Sequence, residues 1–166
     1  MTGTPVSRPR RPRRLLLVVA AGLLAVALII DPIARHILAG GRILDLGVLE
    51  LRLTYNTGVA FSMGSQLPTP LLLAVTGLIT AGVGVYAWRS APTSTWPTTA
   101  GLAAIFAGAA ANVIDRTLDG KVTDYFHTGW FATFNLADTF LTCGVALLFI
   151  AMLTEARTET PKETTP

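Results

Sequence analysis

Asp124, in Val122-Thr-Asp-Tyr-Phe126, and Asp138, in Phe134-Asn-Leu-Ala-Asp138, lie at the edge of and inside apolar sequence. A carboxylate facing lipid costs roughly 2.5 to 3.5 kcal/mol on insertion scales, so such residues usually face a polar interior and carry function. The two are fourteen positions apart with Gly129 and Trp130 between them, too far to be neighbours on one helix. A loop leading back into the last apolar segment would bring them face to face. Two carboxylates about 3 Å apart do not both ionise readily, so one holds a proton while the other acts as base. The base activates water and the acid protonates a reacting carbonyl, which is aspartic protease chemistry and needs neither a metal nor a covalent intermediate. On spacing alone two bland alternatives stay open: Asp138 paired to an Arg or capping a helix start, and Asp124 solvated in a loop beside Lys121.

Composition says where such a pair must sit. The chain has 166 residues, 51% hydrophobic and 14% charged, with a mean hydropathy of +0.55. An ordinary soluble domain is about 25% charged, so this is an integral membrane domain. Five of the thirteen basic residues, Arg8, Arg10, Arg11, Arg13 and Arg14, crowd the first fourteen positions. Without a basic stripe elsewhere they read as a topology signal, and a nucleic-acid partner is not expected. The lone Cys143 excludes an internal disulfide and reads as a core thiol. His36 and His127 are far apart, there is no His-Glu-x-x-His and no Cys-x-x-Cys, and neither a metal nor any other cofactor is expected.

Four apolar stretches, Leu15 to Ile30, Leu71 to Trp88, Thr99 to Ile114 and about Phe131 to Leu153, are each near the roughly 20 residues that cross the hydrocarbon core. The first extends past Asp31 through Pro32-Ile33-Ala34. A cleaved signal peptide is its rival reading, which three further spans downstream disfavour. Residues 1–14 and 155–166, rich in Pro and charge, are expected to be disordered tails around a membrane domain over 15–154. An even number of spans puts both termini on one side. Arg89, Arg157 and Lys162 join the Arg-rich end there, so that face is cytoplasmic by the positive-inside rule. The outer face receives residues 31–70 and 115–133.

In the first outer segment Leu49, Leu51, Leu53 and Tyr55 alternate with Glu50, Arg52, Thr54 and Asn56, the period of a half-buried strand. With the run Ile43 to Leu46 ending at Gly47, a small two-strand sheet or hairpin is expected over about 42–62. Such a sheet can rest on the bilayer or cradle an extended peptide. The third span is full of Ala and Gly, from Ala100 to Ala111, and is expected to be the central packed helix. Its outer end carries Asn112, Asp115 and Arg116 on one face, with Gly108 continuing that stripe inward. The fold class expected is therefore a mostly α integral membrane protein: four transmembrane helices with a small extracytoplasmic β-sheet.

The blocks Asn56-Thr-Gly-Val-Ala-Phe-Ser62, Asn112-Val-Ile-Asp-Arg116, Gly120-Lys-Val-Thr-Asp-Tyr-Phe126 and Phe134-Asn-Leu-Ala-Asp138, in this order on four spans, resemble lipoprotein signal peptidase (signal peptidase II). The resemblance covers about residues 15–153. It implies a bacterial inner-membrane aspartic endopeptidase that removes the signal peptide of prolipoproteins just before the diacylglyceryl-modified cysteine. By that resemblance Asp124 and Asp138 are the catalytic pair, and Asn56, Asn112, Arg116 and Asn135 hold the substrate backbone and orient the dyad. Asp115 braces the polar end of the third helix, and Gly58 lets backbone approach the substrate. Lipid-modified prolipoproteins and membrane lipids are the implied partners.

Three positions depart from the pattern. Asp31-Pro-Ile-Ala-Arg35 stands where the family has Asp-Gln-x-x-Lys, Ala111 where a Gly precedes the asparagine, and Val59 where Ala is usual. Arg does not replace Lys neutrally at a tight site, so Asp31 and Arg35 are supporting candidates. An inactive relative that binds lipidated peptides is one alternative. A small proton-coupled transporter is another, though it requires polar residues deep in several spans, which the second span lacks.

Overall fold

A computed structural model describes residues 11–58 and 67–159. The elements run α1 (Arg11–Ile37), a 3₁₀ turn (Ala39–Gly41), β1 (Ile43–Asp45), β2 (Glu50–Asn56), α2 (Thr69–Ser90), α3 (Trp96–Asp119), β3 (Val122–His127) and α4 (Leu136–Glu159). All four helices are long and apolar enough to cross a membrane. Large apolar side chains such as Leu78, Tyr86 and Met152 stand exposed along them, as lipid-facing surface requires.

α3 packs against each of the other three helices, while α2 and α4 lean on α3 rather than on each other. Small residues make this possible. Ala103, Ala107 and Ala111 are fully buried on α3, and the α3 and α4 backbones meet at Gly101 and Gly144 and again at Gly108 and Ala137. In lipid, where apolar surface gains nothing by leaving its neighbours, such close approach is the main source of helix association. Ala111, where the family has Gly, packs with Ala27 and Ala137, so the extra methyl is accommodated.

The helices run further than the apolar stretches suggest. α1 begins at Arg11 and α4 continues to Glu159, so parts of both expected tails are helical. The Arg13 guanidinium stacks over Trp88 at 4.8 Å, and Glu155 accepts a hydrogen bond from Thr95 Oγ1 at 2.9 Å. These contacts tie the helix ends together at the pole of the bundle opposite the sheet. Residues 1–10 and 160–166 lie outside the described residues.

The fourth helix starts at Leu136, not near Phe131: residue 131 lies in a bend, and Phe134 pairs with Phe126 in an isolated antiparallel bridge. The sheet has three strands rather than two, in the order β1-β2-β3, all antiparallel. β3 was the unforeseen strand, and β2 ends at Asn56, with Val59 to Ser62 outside the described residues. The expected in-and-out alternation along β2 is also broken. Leu51 pairs with Phe126 but Thr54 with Asp124, a bulge that resets which side chains face the helices and brings Thr54 opposite Asp124.

Candidate active site

The site is built where α3 ends, β3 returns and α4 begins. Gly120 closes α3 in the left-handed conformation, φ 78°, with its N–H on the Arg116 carbonyl. That reversal, cheap only for glycine, sends the chain straight into β3 and carries Asp124 back over the helix end. The loop after β3 then folds onto it: Phe126 and Phe134 exchange N–H···O bonds of 2.8 and 3.0 Å, and the Tyr125 N–H also reaches the Phe134 carbonyl. Asn135 is thereby held beside Asp124.

Asn135 caps α4. Its Oδ1 accepts the Asp138 N–H at 2.9 Å, and its own N–H donates to Asp138 Oδ2 at 3.2 Å, a reciprocal box that satisfies donors a helix start leaves open. The Asn135 Nδ2 donates in turn to Asp124 Oδ1, the Thr123 carbonyl and Asn112 Oδ1, at 3.2, 3.2 and 2.9 Å. Asn112 closes the circuit from α3 by donating from Nδ2 to Asp138 Oδ1 at 2.7 Å. One asparagine therefore touches both aspartates, and the other fixes the second oxygen of Asp138. Asp138 does cap a helix start, as the bland alternative held, and it does so while lining the same cavity as Asp124.

That cavity, about 430 Å³, lies between α2, α3, β3 and α4. Asn56, Asn112, Arg116, Asp124 and Asp138 form its polar end, and Ile79, Val113 and Leu141 carry it on between the helices. Asp124 is 3% exposed, which rules out the solvated-loop alternative. Burial, and then the neighbouring Asp138 carboxylate, push the Asp124 carboxyl up to about 7, against a hydrogen bond from Asn56 and the Arg116 charge. A proton held on buried Asp124 beside the half-buried Asp138 carboxylate is an arrangement that suits water activation without a metal.

Arg116 does not pair with Asp115. Its Nη2 donates to the Gly58 carbonyl, while Nε is buried with no hydrogen-bond partner among the described residues. Gly58 thus enters as an acceptor that helps hold the turn after β2, and its N–H donates to Asn56 Oδ1 at 2.9 Å. The remaining candidates lie behind β3. Asp115 is ion-paired with Arg35 and accepts the Thr123 N–H at 2.7 Å, and Arg35 also reaches Asp119 at 3.1 Å. An Arg at position 35 therefore bridges two carboxylates, a task its forked donors suit.

Tyr125 went unforeseen. Its hydroxyl donates to Asp31 Oδ1 at 2.9 Å and accepts the Leu136 N–H at 3.1 Å, joining α1 to the first residue of α4. Burial and the adjacent Asp31 keep that hydroxyl above the usual tyrosine range, so it stays a neutral donor. The residues on either side of Asp124 are thus both anchored from α1, Thr123 through Asp115 and Arg35, Tyr125 through Asp31. Tyr125→Phe strands Asp31 and the Leu136 N–H, and is expected to cost about 1–3 kcal/mol of stability. Unfolding in mixed detergent and SDS micelles measures it, and an unchanged transition would contradict the strut.

Known proteins resemble this chain along most of its length. The family model described as signal peptidase (SPase) II matches residues 16–154. A lipoprotein signal peptidase of Mesorhizobium japonicum is 41% identical over 135 residues, 76% of this chain and 80% of that one. One of Mycobacterium avium is 34% identical over 154 residues, 88% of this chain and 82% of its own. A solved bacterial membrane enzyme superposes with a TM-score of 0.75 over 90% of this chain and 94% of its own, at 25% identity. A second, at 24% identity and a TM-score of 0.70, shares the fold.

Proposed function

The chain belongs to the signal peptidase II family of bacterial multi-pass membrane proteases, and we propose that it is an aspartic endopeptidase that removes signal peptides from diacylglyceryl-modified prolipoproteins. That chemistry is supported chiefly by the position of Asp124 and Asp138, a buried and a half-buried carboxylate cross-linked by Asn135 and opening on one cavity. A water between them loses its proton to the ionised carboxylate while the protonated one hydrogen-bonds the scissile carbonyl. The tetrahedral adduct collapses when the first carboxylate returns the proton to the leaving amine. Arg116 and Asn56 line the same cavity, where guanidinium and amide groups suit substrate carbonyls that find few partners in a dry site.

The signal peptide enters from the bilayer, its apolar segment along the Ile79 and Leu141 walls and its cleavage site at the polar end. Both termini lie on the cytoplasmic side of the inner membrane by the positive-inside rule, which sets the sheet and the dyad at the outer surface. The polar groups gather at that one pole, as surface cleavage requires and conduction does not. The Arg35 bridge to Asp115 and Asp119 retains a cation at the altered motif, which favours an active enzyme over a binding relative.

The test is cleavage in liposomes by the purified chain. A diacylglyceryl-modified prolipoprotein should yield a product beginning at the lipidated cysteine, unaffected by chelators and serine reagents, while the unmodified precursor stays whole. No cleavage of the modified substrate would overturn the reading. Because Asp124 holds its proton to about 7, kcat/KM should fall about tenfold per pH unit above that value as the shared proton is lost. A flat profile from pH 6 to 9 would count against the dyad.

A further inference from the structure

The pole of the bundle opposite the sheet carries charges that the cleavage chemistry does not use. α1 and α3 start there, and α2 and α4 end there. Arg11, Arg13 and Arg14 stand on the first turn of α1, and Arg89 on the last turn of α2. Arg11, Arg14 and Arg89 are exposed, whereas Arg13 is half-buried.

Arg13 is the unusual member. Its guanidinium lies over the Trp88 ring at 4.8 Å, and its Nε is buried with no hydrogen-bond partner among the described residues. Three residues on, Leu16 shares a buried cluster with Ala87 and Ala91, so the ends of α1 and α2 converge where Arg13 meets Trp88. Stacking on the ring fixes the plane of the guanidinium without using the donors along its edge. No carboxylate supplies the countercharge either. The ion pairs among the described residues are made by Arg35 and Arg52, both at the sheet end. Glu155, the acidic side chain described at this pole, accepts from Thr95 Oγ1 at 2.9 Å.

A cation drawn partly out of water without a partner is costly, so the cluster is completed by an anion. Trp88 and Trp96, both exposed, set this ring of residues at headgroup depth, where the anion within reach is a lipid phosphate. We propose that Arg13, Arg14 and Arg89 form a site for a phosphate-bearing anion, filled in the membrane by the headgroup of an anionic phospholipid. Arg13, fixed on Trp88, is its centre. A charged fork on a phosphate outweighs a neutral hydrogen bond, and the same arginines repel the ammonium of a zwitterionic headgroup. A lipid held there joins α1 to α2 and stabilises the folded chain. The site lies at the opposite end of the bundle from the dyad and does not rest on the peptidase reading.

Thermal unfolding of the full chain in neutral-detergent micelles tests it. Phosphatidylglycerol in large excess should raise Tm by about 4 °C or more, while phosphatidylcholine or inorganic phosphate at the same concentration leaves it unchanged. Arg13→Gln should lose most of that rise, and so should Arg13→Lys, which keeps the charge but not the fork. Arg42→Gln, which removes an exposed charge at the sheet end, should keep it. An equal rise from phosphatidylcholine or from inorganic phosphate, a full rise in Arg13→Lys, or an equal loss in Arg42→Gln overturns the site. A second measurement needs no substitution. In phosphatidylcholine vesicles, phosphatidylglycerol with brominated acyl chains should quench the tryptophan fluorescence at least twice as strongly as brominated phosphatidylcholine at the same low fraction. Equal quenching by the two lipids would mean that no anionic lipid is held beside Trp88, and overturns the proposal.

Discussion

Asp124→Asn and Asp138→Asn are each expected to slow cleavage about 10⁴-fold, near the upper end of what positioned acid–base groups supply, with the double substitution no worse than either alone. Each removes one half of a proton-sharing pair, and neither half works without the other. The effects on the fold should differ. Asp124 accepts from Asn135 Nδ2 and from Asn56; Asn at 124 keeps one oxygen acceptor for these donors and removes a buried charge. The Asp124 carboxyl titrates at about 7 in the fold against an ordinary 3.8, so the native state holds this proton more tightly than the unfolded chain. Its contribution to stability is full below about pH 4 and is lost as pH rises through 7. At pH 8 Asp124→Asn should therefore unfold no more easily than wild type. Asp138 accepts on both oxygens, from Asn112 Nδ2 and the Asn135 N–H. Asn at 138 turns an amide toward one of those donors and should cost about 1–3 kcal/mol. Rates near wild type for either variant would remove the dyad. Equal destabilisation of the two would mean that removing the buried charge at 124 does not offset the lost acceptor there.

Much of this arrangement was legible in the chain because membrane helices announce themselves. Runs of apolar residues near the crossing length, a small-residue third span and a polar stripe at Asn112, Asp115 and Arg116 required no long-range knowledge. The strand carrying Asp124 was not legible: Val122-Thr-Asp-Tyr-Phe-His has no clean period of two, since it is buried on both faces near its start. The start of α4 was misplaced because Phe131 to Phe134 continue the apolar run, although Asn135 followed three residues later by Asp138 is itself a helix-start signature. The β2 alternation misled because one bulge inverts the faces. The pairings of Tyr125 with Asp31 and of Arg35 with Asp115 join residues more than 75 positions apart. Composition shows only that a buried hydroxyl needs some partner, not which one.

Gly108→Val is expected to lower activity at least a hundredfold although it substitutes no residue of the dyad or its hydrogen-bond partners. A Cβ at 108 would collide with the Ala137 carbonyl oxygen and stand 3.0 Å from the Leu141 N–H. Both are helix backbone, so neither can step aside by changing rotamer, and α3 and α4 must part. Asn112 lies one turn above Gly108 and Asp138 directly follows Ala137, so the parting falls on the 2.7 Å bond that fixes Asp138 Oδ1. Displacement of about 1 Å at a positioned group costs roughly a hundredfold in rate, and overpacking of a tight crossing costs about 1–3 kcal/mol in stability. Gly82→Ala on α2, where a Cβ meets nothing within 4 Å, is the matched control and should lose neither. Cleavage by the purified variants in liposomes, with kcat and KM separated, distinguishes a displaced carboxylate from a blocked cavity. A fall in kcat at constant KM follows from the lost Asn112 contact, whereas a rise in KM alone would mean that α4 had closed on the substrate path. A fully active Gly108→Val enzyme would mean that the Asn135 cap alone holds Asp138 in place.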